Sequence, residues 1–132
     1  MGAVGSARGR AQGQPGTRAA VGRYGERVAA EHLQAAGLAV LDRNWRCRWG
    51  ELDLVVRDGG CLVGVEVKTR RSTAAGSPLE AITPAKVARL RRLLGCWLEE
   101  HPVGARDVRL DAVAVLCPPS GPPVVEHVRG IG

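Results

Sequence analysis

Gly50-Glu51-Leu52-Asp53-Leu54-Val55-Val56, then Arg57-Asp58-Gly59-Gly60, then Cys61-Leu62-Val63-Gly64-Val65-Glu66-Val67-Lys68 is the stretch that decides the fold. The two flanking runs are aliphatic and β-branched with a few polar interruptions, which is the composition of adjacent strands in one sheet. A two-residue Gly59-Gly60 loop makes a tight hairpin, pairs Asp58 with Cys61, and so sets Asp53 opposite Glu66 and Glu51 opposite Lys68. Were the loop Asp58-Gly59 instead, Asp53 and Glu66 would be diagonal neighbours. Because strand side chains alternate between faces, Glu51, Asp53, Glu66 and Lys68 are expected on one face. Carboxylates directly opposed at Cβ separations of about 4.5 to 5.5 Å repel, so this hairpin calls for a cation. A divalent metal and Lys68 would supply it.

The chain has 132 residues, the length of one domain. Residues 1–20 carry Gly, Ala, Gln and Arg without an acid or an apolar run, the composition of a disordered basic arm, which leaves residues 21–132 as a single α/β domain. A formal net charge of +6 suits a polyanionic partner. Aromatic residues make up only 3%, too few for base stacking to be the main binding device, and this argues against the usual single-strand readers. Of 19 basic residues only Lys68 and Lys86 are lysines. In a chain that uses Arg wherever a cation suffices, these two positions are where a compact ammonium would matter. Cys47, Cys61, Cys96 and Cys117 form no CxxC pair and have no His at ligand spacing, which speaks against zinc and for reduced thiols in a cytoplasmic protein. No run is long enough to cross a membrane and no signal-peptide core precedes the domain, so a membrane partner is not expected.

Outward from the hairpin, Val21, Tyr24, Val28, Ala29 and Leu33 recur at helical spacing with Gly37 as the stop, and Leu38 to Leu41 reads as a first strand. Ser77-Pro78-Leu79-Glu80 has the form of a capping box, and Thr83-Pro84 opens a helix that ends near Glu100, with Val87, Leu90, Leu94 and Trp97 on its inner face. Leu110 to Leu116 is a fourth strand, and Val124 to Val128 leaves room for a fifth. The order α-β-β-β-α-β, with a further strand available, describes a mixed sheet flanked by helices. Asp111 on the fourth strand is expected to be a buried partner of an arginine, Arg109 or Arg46. The cluster Trp45, Arg46, Arg48 and Trp49 could grip a backbone or fill core. His32, His101 and His127 are scattered and suggest no catalytic base.

An Asp on one strand and Glu-x-Lys on the next place two hard oxygen ligands and an ammonium round one point, which suits Mg²⁺ or Mn²⁺ completed by water and phosphate oxygen. The bland alternative is a solvated hairpin face on which Glu51 and Lys68 merely pair. Beyond that pattern, Gly25-Glu26, Asn44-Trp45-Arg46 with Gly50-Glu51-Leu52-Asp53-Leu54, Val65-Glu66-Val67-Lys68-Thr69-Arg70, Ile82-Thr83-Pro84-Ala85-Lys86 and Arg109-Leu110-Asp111 resemble the small bacterial YraN-like proteins. That family is similar in turn to the PD-(D/E)XK nucleases, near the archaeal Holliday junction resolvases. The resemblance implies a restriction-endonuclease-like core, Asp53 and Glu66 as metal ligands, Lys68 as the catalytic lysine, and Glu26 as an additional acid. Two positions depart from the family's habit: Gly64 replaces a larger apolar residue, and Leu110 replaces an aromatic one.

The expectation is a metal-dependent endonuclease that hydrolyses phosphodiester bonds of DNA, branched or otherwise structured DNA included. Arg70, Arg71, Lys86 and Arg46 would engage the nucleic acid, and the resolvase likeness raises a homodimer as an expectation. The alternative is a nucleic-acid-binding module that keeps the fold and does no hydrolysis. A third reading is an interaction protein whose basic face meets an acidic partner.

Overall fold

The stop expected at Gly37 is where the first helix ends: helix α1 (Arg18–Ala35) closes on Ala36, and Gly37 takes φ 95° to turn the chain out. Thr17 caps its start by accepting from the Ala20 N–H at 3.0 Å. The computed structural model describes residues 17–74 and 76–132. Of the expected basic arm, residues 1–16 lie outside the described residues, and residues 18–20 belong to α1.

Three strands follow as a meander: β1 (Ala39–Cys47), β2 (Gly50–Asp58) and β3 (Cys61–Arg70). A 3₁₀ turn over Pro78–Ala81, capped by Ser77, leads to α2 (Pro84–Glu100), where Thr83 accepts from the Lys86 N–H at 3.2 Å. Strands β4 (Asp107–Leu116) and β5 (Val124–Val128) complete a sheet ordered β1-β2-β3-β4-β5. Only the β3–β4 pair is parallel, because only that connection crosses over through a helix. The fifth strand is therefore present and the sheet is mixed as expected. Among the described residues no helix is long and apolar enough to cross a membrane.

The sheet lies between two apolar layers. Ala29, Ala30 and Leu33 of α1 pack on Leu54, Val56, Val63, Val65 and Val113, while Leu90, Leu93, Leu94 and Trp97 of α2 pack on Leu52, Val55, Leu62 and Leu110. Gly64 and Leu110, the two departures from the family's habit, are neighbours. They are register partners across β3 and β4, and a Cβ on Gly64 would meet Leu110 Cδ2 at 3.3 Å and Leu94 Cδ2 at 3.5 Å, so these leucines pack where a larger side chain at position 64 would lie.

Strand β1 runs six residues past the expected Leu41. Asp42 and Arg43 are poor strand formers, yet they pair with Val55 and Leu54, and Asp42 accepts from Trp97 Nε1 at 2.8 Å. Tertiary partners override the local preference here.

Gly25 has a positioning task. It is buried, and a Cβ there would overlap the Thr69 side chain on β3. Only glycine lets α1 come this close, and the approach carries the next residue, Glu26, to the end of β3. Gly25→Ala is expected to cost about 1 to 3 kcal/mol of stability through overpacking, and Thr69→Ala in the same chain should recover most of it. Equal urea midpoints for wild type and Gly25→Ala would show that the contact is soft.

Candidate functional site

The hairpin register is the one expected from a Gly59-Gly60 loop: Asp58 pairs with Cys61 and Leu54 with Val65. There the β2–β3 ladder stops, although β3 stays paired with β4 as far as Arg70 and β2 with β1 as far as Gly50. The strands part at Asp53. Leu52 belongs to the α2 layer and Leu54 to the α1 layer, so strict alternation fails between them. Asn44, between the β1 residues paired with Leu54 and Leu52, has φ 51°, an uncommon left-handed strand residue that lets β1 follow the same twist.

Parting exposes a β3 backbone donor, and Asp53 takes it: its Oδ2 accepts from the Val67 N–H at 2.8 Å. This seats the Asp53 carboxylate against β3 one residue beyond Glu66. Glu66 is 9% exposed and pairs with Lys68, Nζ to Oε2 3.2 Å. Glu51 does not stand opposite Lys68, because the β2–β3 ladder ends at Leu54. It meets a nearby arginine instead, Arg46, its register partner on β1, at 3.6 Å.

Glu26 arrives on the α1 side. With its amide turned to donate, Asn44 lies 2.8 Å from Glu26 Oε1 and 3.2 Å from Glu51 Oε2, bridging two carboxylates. Asn44 falls beyond the strand expected to end at Leu41, so nothing local in the sequence gives it this bridging task.

Charge in the cluster is unbalanced. Burial, then the neighbouring Glu66, push the Asp53 carboxyl up to about 7; Glu26 and Glu51 add to this, and the Val67 N–H works against it. Glu26 is also raised, by burial first and by Glu51 next, with Asn44 opposing. On the other side stand both lysines of the chain. Lys86, on the first turn of α2, is a neighbour of Lys68, and that neighbour lowers its pKa. Two lysines distant in sequence thus meet beside Glu66.

These residues suit a hard divalent cation. Asp53 and Glu66 offer oxygen ligands, and a cation beside them would offset the burial and the Glu66 charge that raise the Asp53 carboxyl. Among the described residues no three His, Cys, Asp or Glu side chains form a complete cage, so an ion here must draw further ligands from water and substrate. Beside the cluster a cleft of about 610 Å³ runs between α1 and the end of β3. Glu26 and Lys68 line it together with Arg18, Arg70 and Arg71. Of the residues expected to meet nucleic acid, Arg70 and Arg71 thus border the cleft and Lys86 joins Lys68. Arg46 has a side chain 78% exposed at the outer strand, beside Glu51.

Asp111 has the structural role expected of it. It is fully buried and accepts from Arg109 Nε at 2.8 Å, with His127 Nε2 also 2.8 Å away. His101 stacks on Trp97, and all four cysteines are free thiols.

The comparisons agree with the motif reading. The model of the uncharacterised protein family UPF0102 matches residues 25–115, a span from Gly25 to the last turns of β4. A UPF0102 protein of Kineococcus radiotolerans is 64% identical over 113 residues, covering 85% of this chain and 93% of its own length. One from Beutenbergia cavernae is 61% identical, covering 86% and 96%. A third, from Streptomyces griseus, is 55% identical over 117 residues. With the family model spanning most of the chain and relatives matched nearly end to end, the chain belongs to UPF0102, the YraN-like family.

Proposed function

We propose that this protein is a metal-dependent endonuclease of the PD-(D/E)XK type that hydrolyses phosphodiester bonds in DNA. One observation carries the reading. Asp53 is anchored to β3 where two strands part, its carboxyl is pushed up to about 7 among other carboxylates, and the only two lysines of the chain gather beside it. A structural ion pair needs no such surplus of negative charge. Phosphodiester hydrolysis uses it to hold a cation and an ammonium against a phosphate.

Asp53 and Glu66 would hold Mg²⁺ or Mn²⁺, which supplies Lewis acidity toward the scissile phosphate. Lys68, fixed by Glu66 at 3.2 Å, directs its remaining donors to the phosphoryl oxygens, where negative charge grows in the transition state. Lys86 adds a second ammonium on the same side. Glu26, held by Asn44 and raised by burial, is placed to accept or give a proton at the mouth of the cleft. Arg70 and Arg71, with Arg18, line a path for the backbone, contacts that position a strand without reading its sequence.

The test is a cleavage panel of linear, flapped and four-way DNA with Mg²⁺, Mn²⁺ or EDTA. Cleavage that depends on the metal is expected. Salt-sensitive binding without cleavage under every condition would favour the binding module instead. Lys68→Arg separates the roles of its ammonium. A guanidinium keeps the charge but is planar and bulkier, so the single-turnover rate is expected to fall by two or more orders of magnitude while DNA affinity stays near wild type. An unchanged rate would limit Lys68 to neutralising Glu66.

A further inference from the structure

We propose that Trp49, at the tip of the β1–β2 hairpin, is a stacking site for an unpaired nucleobase, and that the DNA taken by this protein carries unpaired nucleotides beside the scissile phosphate. The proposal rests on the nuclease reading and narrows its substrate.

The three tryptophans of the chain have different fates. Trp97 is 2% exposed in the α2 layer, and Trp45 packs half-buried against the same layer. Trp49 belongs to neither layer and is 45% exposed. An indole this open on a turn keeps much of its apolar surface in contact with solvent, where a base could share the ring with the side chains beside it.

The turn is held in place. Gly50 has φ 141°, and a Cβ there would lie 3.6 Å from Leu93 and 3.9 Å from Arg89, so the hairpin tip is seated on α2. The Trp49 N–H donates to Cys47 Sγ at 3.4 Å. Two guanidiniums attend the ring, Arg48 at 4.7 Å and Arg92 at 5.3 Å from its centroid. An aromatic ring bordered by arginines is the chemistry that binds a base and its phosphate together: the ring and guanidinium planes stack on the base while the charges meet the backbone.

A path joins this ring to the carboxylate cluster. Lys86, Arg89 and Arg92 follow one another at three-residue steps, one stripe of α2. The stripe starts beside Lys68 and ends at Trp49. At a rise of 1.5 Å per residue it is about 9 Å long. That is two to three nucleotides at the duplex spacing of about 3.4 Å per strand, and fewer where an unpaired strand is extended. A base on Trp49 would therefore lie within about three nucleotides of the phosphate at the site. In an intact duplex that base is stacked between neighbours and unreachable, whereas in a gap, a flap or a branch point it is free.

The experiment compares the full chain with Trp49→Leu and Trp49→Phe, binding a labelled duplex and the same duplex with a four-nucleotide gap in EDTA buffer at low salt. Wild type is expected to prefer the gapped DNA by roughly tenfold, with quenching of the fluorescence that Trp49→Phe lacks. Trp49→Leu should lose the preference and keep its duplex affinity, and Trp49→Phe should keep most of the preference. Equal affinities of wild type for the two DNAs, or a preference untouched by Trp49→Leu, would overturn the stacking site alone. Failure to bind either DNA would overturn the nuclease reading and this site with it.

Discussion

Asp53→Asn is expected to abolish metal-dependent cleavage and, at the same time, to make the metal-free protein more stable at pH 8. Asn keeps an oxygen that can accept from the Val67 N–H, so the anchor on β3 survives. The negative charge does not. Burial and the Glu66 charge raise the Asp53 pKa from 3.8 to about 7, so the folded state binds its proton more tightly than the unfolded state does. Between about pH 4 and pH 7 the metal-free wild type thus loses stability as pH rises, and above about pH 7 the loss is complete. At about 1.4 kcal/mol per pH unit this amounts to a few kcal/mol. Asp53→Asn should recover it at pH 8 and show no gain near pH 4. Mg²⁺ should stabilise the wild type at pH 8 and leave the variant unchanged. Glu66→Gln should likewise end cleavage, since it removes the second oxygen ligand and releases Lys68. Denaturant midpoints across pH, with and without Mg²⁺, check the stability half. A destabilised Asp53→Asn at pH 8 would falsify the account of the acids as an uncompensated site.

The opposite behaviour is expected of Asp111. This carboxylate is fully buried but fully partnered: Arg109 binds both oxygens, His127 adds a contact at 2.8 Å, and the Gly130 N–H donates at 3.0 Å. Burial alone would raise its pKa, yet Arg109, Gly130 and His127 outweigh burial and hold it below 3.8. A depressed carboxylate gives stability that is present above the unfolded value and lost as pH falls through the folded one, so its contribution disappears only in acid. Asp111→Ala strands Arg109 and His127 and should cost about 3 to 5 kcal/mol at neutral pH. The loss should be greatest at the C-terminus, where Gly130 and the Ile131 N–H, bonded to Leu110 at 2.8 Å, tie the tail to β4. Urea unfolding measures the total and amide exchange at Gly130 and Ile131 locates it. A variant within about 1 kcal/mol of wild type would mean that Arg109 and Asp58, 3.0 Å apart, hold the strand end unaided.

Much of this was legible in the residues, for identifiable reasons. Asp58-Gly59-Gly60 allows only two short loops, and in either register Asp53, Glu66 and Lys68 come to the same end of the sheet; the observed one is that of the Gly59-Gly60 loop. Thr83-Pro84 and Gly37 marked helix limits because caps and left-handed turns admit few residue types. The parting of β2 from β3 was not legible. Leu52, Leu54, Val55 and Val56 are all apolar and all buried, so the row does not show that Leu52 and Leu54 face opposite layers. The register that would set Glu51 opposite Lys68 fails for that reason. Asn44 was missed because its use depends on a backbone twist that only the sheet imposes, and β1 was read short because the Trp97 contact to Asp42 spans 55 residues.

The one parallel seam of the sheet also orders events in time. Asp58 and Cys61 meet across a two-residue loop, whereas Cys61 meets Asp107 only after a closure roughly twentyfold longer, which is an entropic handicap of roughly 2 to 3 kcal/mol. The meander can therefore zip within microseconds, and the seam must wait for α2. Asp53 and Glu66 are gathered during the fast phase, while the lysine of α2 arrives with the slow one, so the nascent protein passes through an interval in which Lys68 alone faces them. Pulsed amide exchange during refolding should find β2 and β3 protected before β4, and divalent cations should shorten the wait.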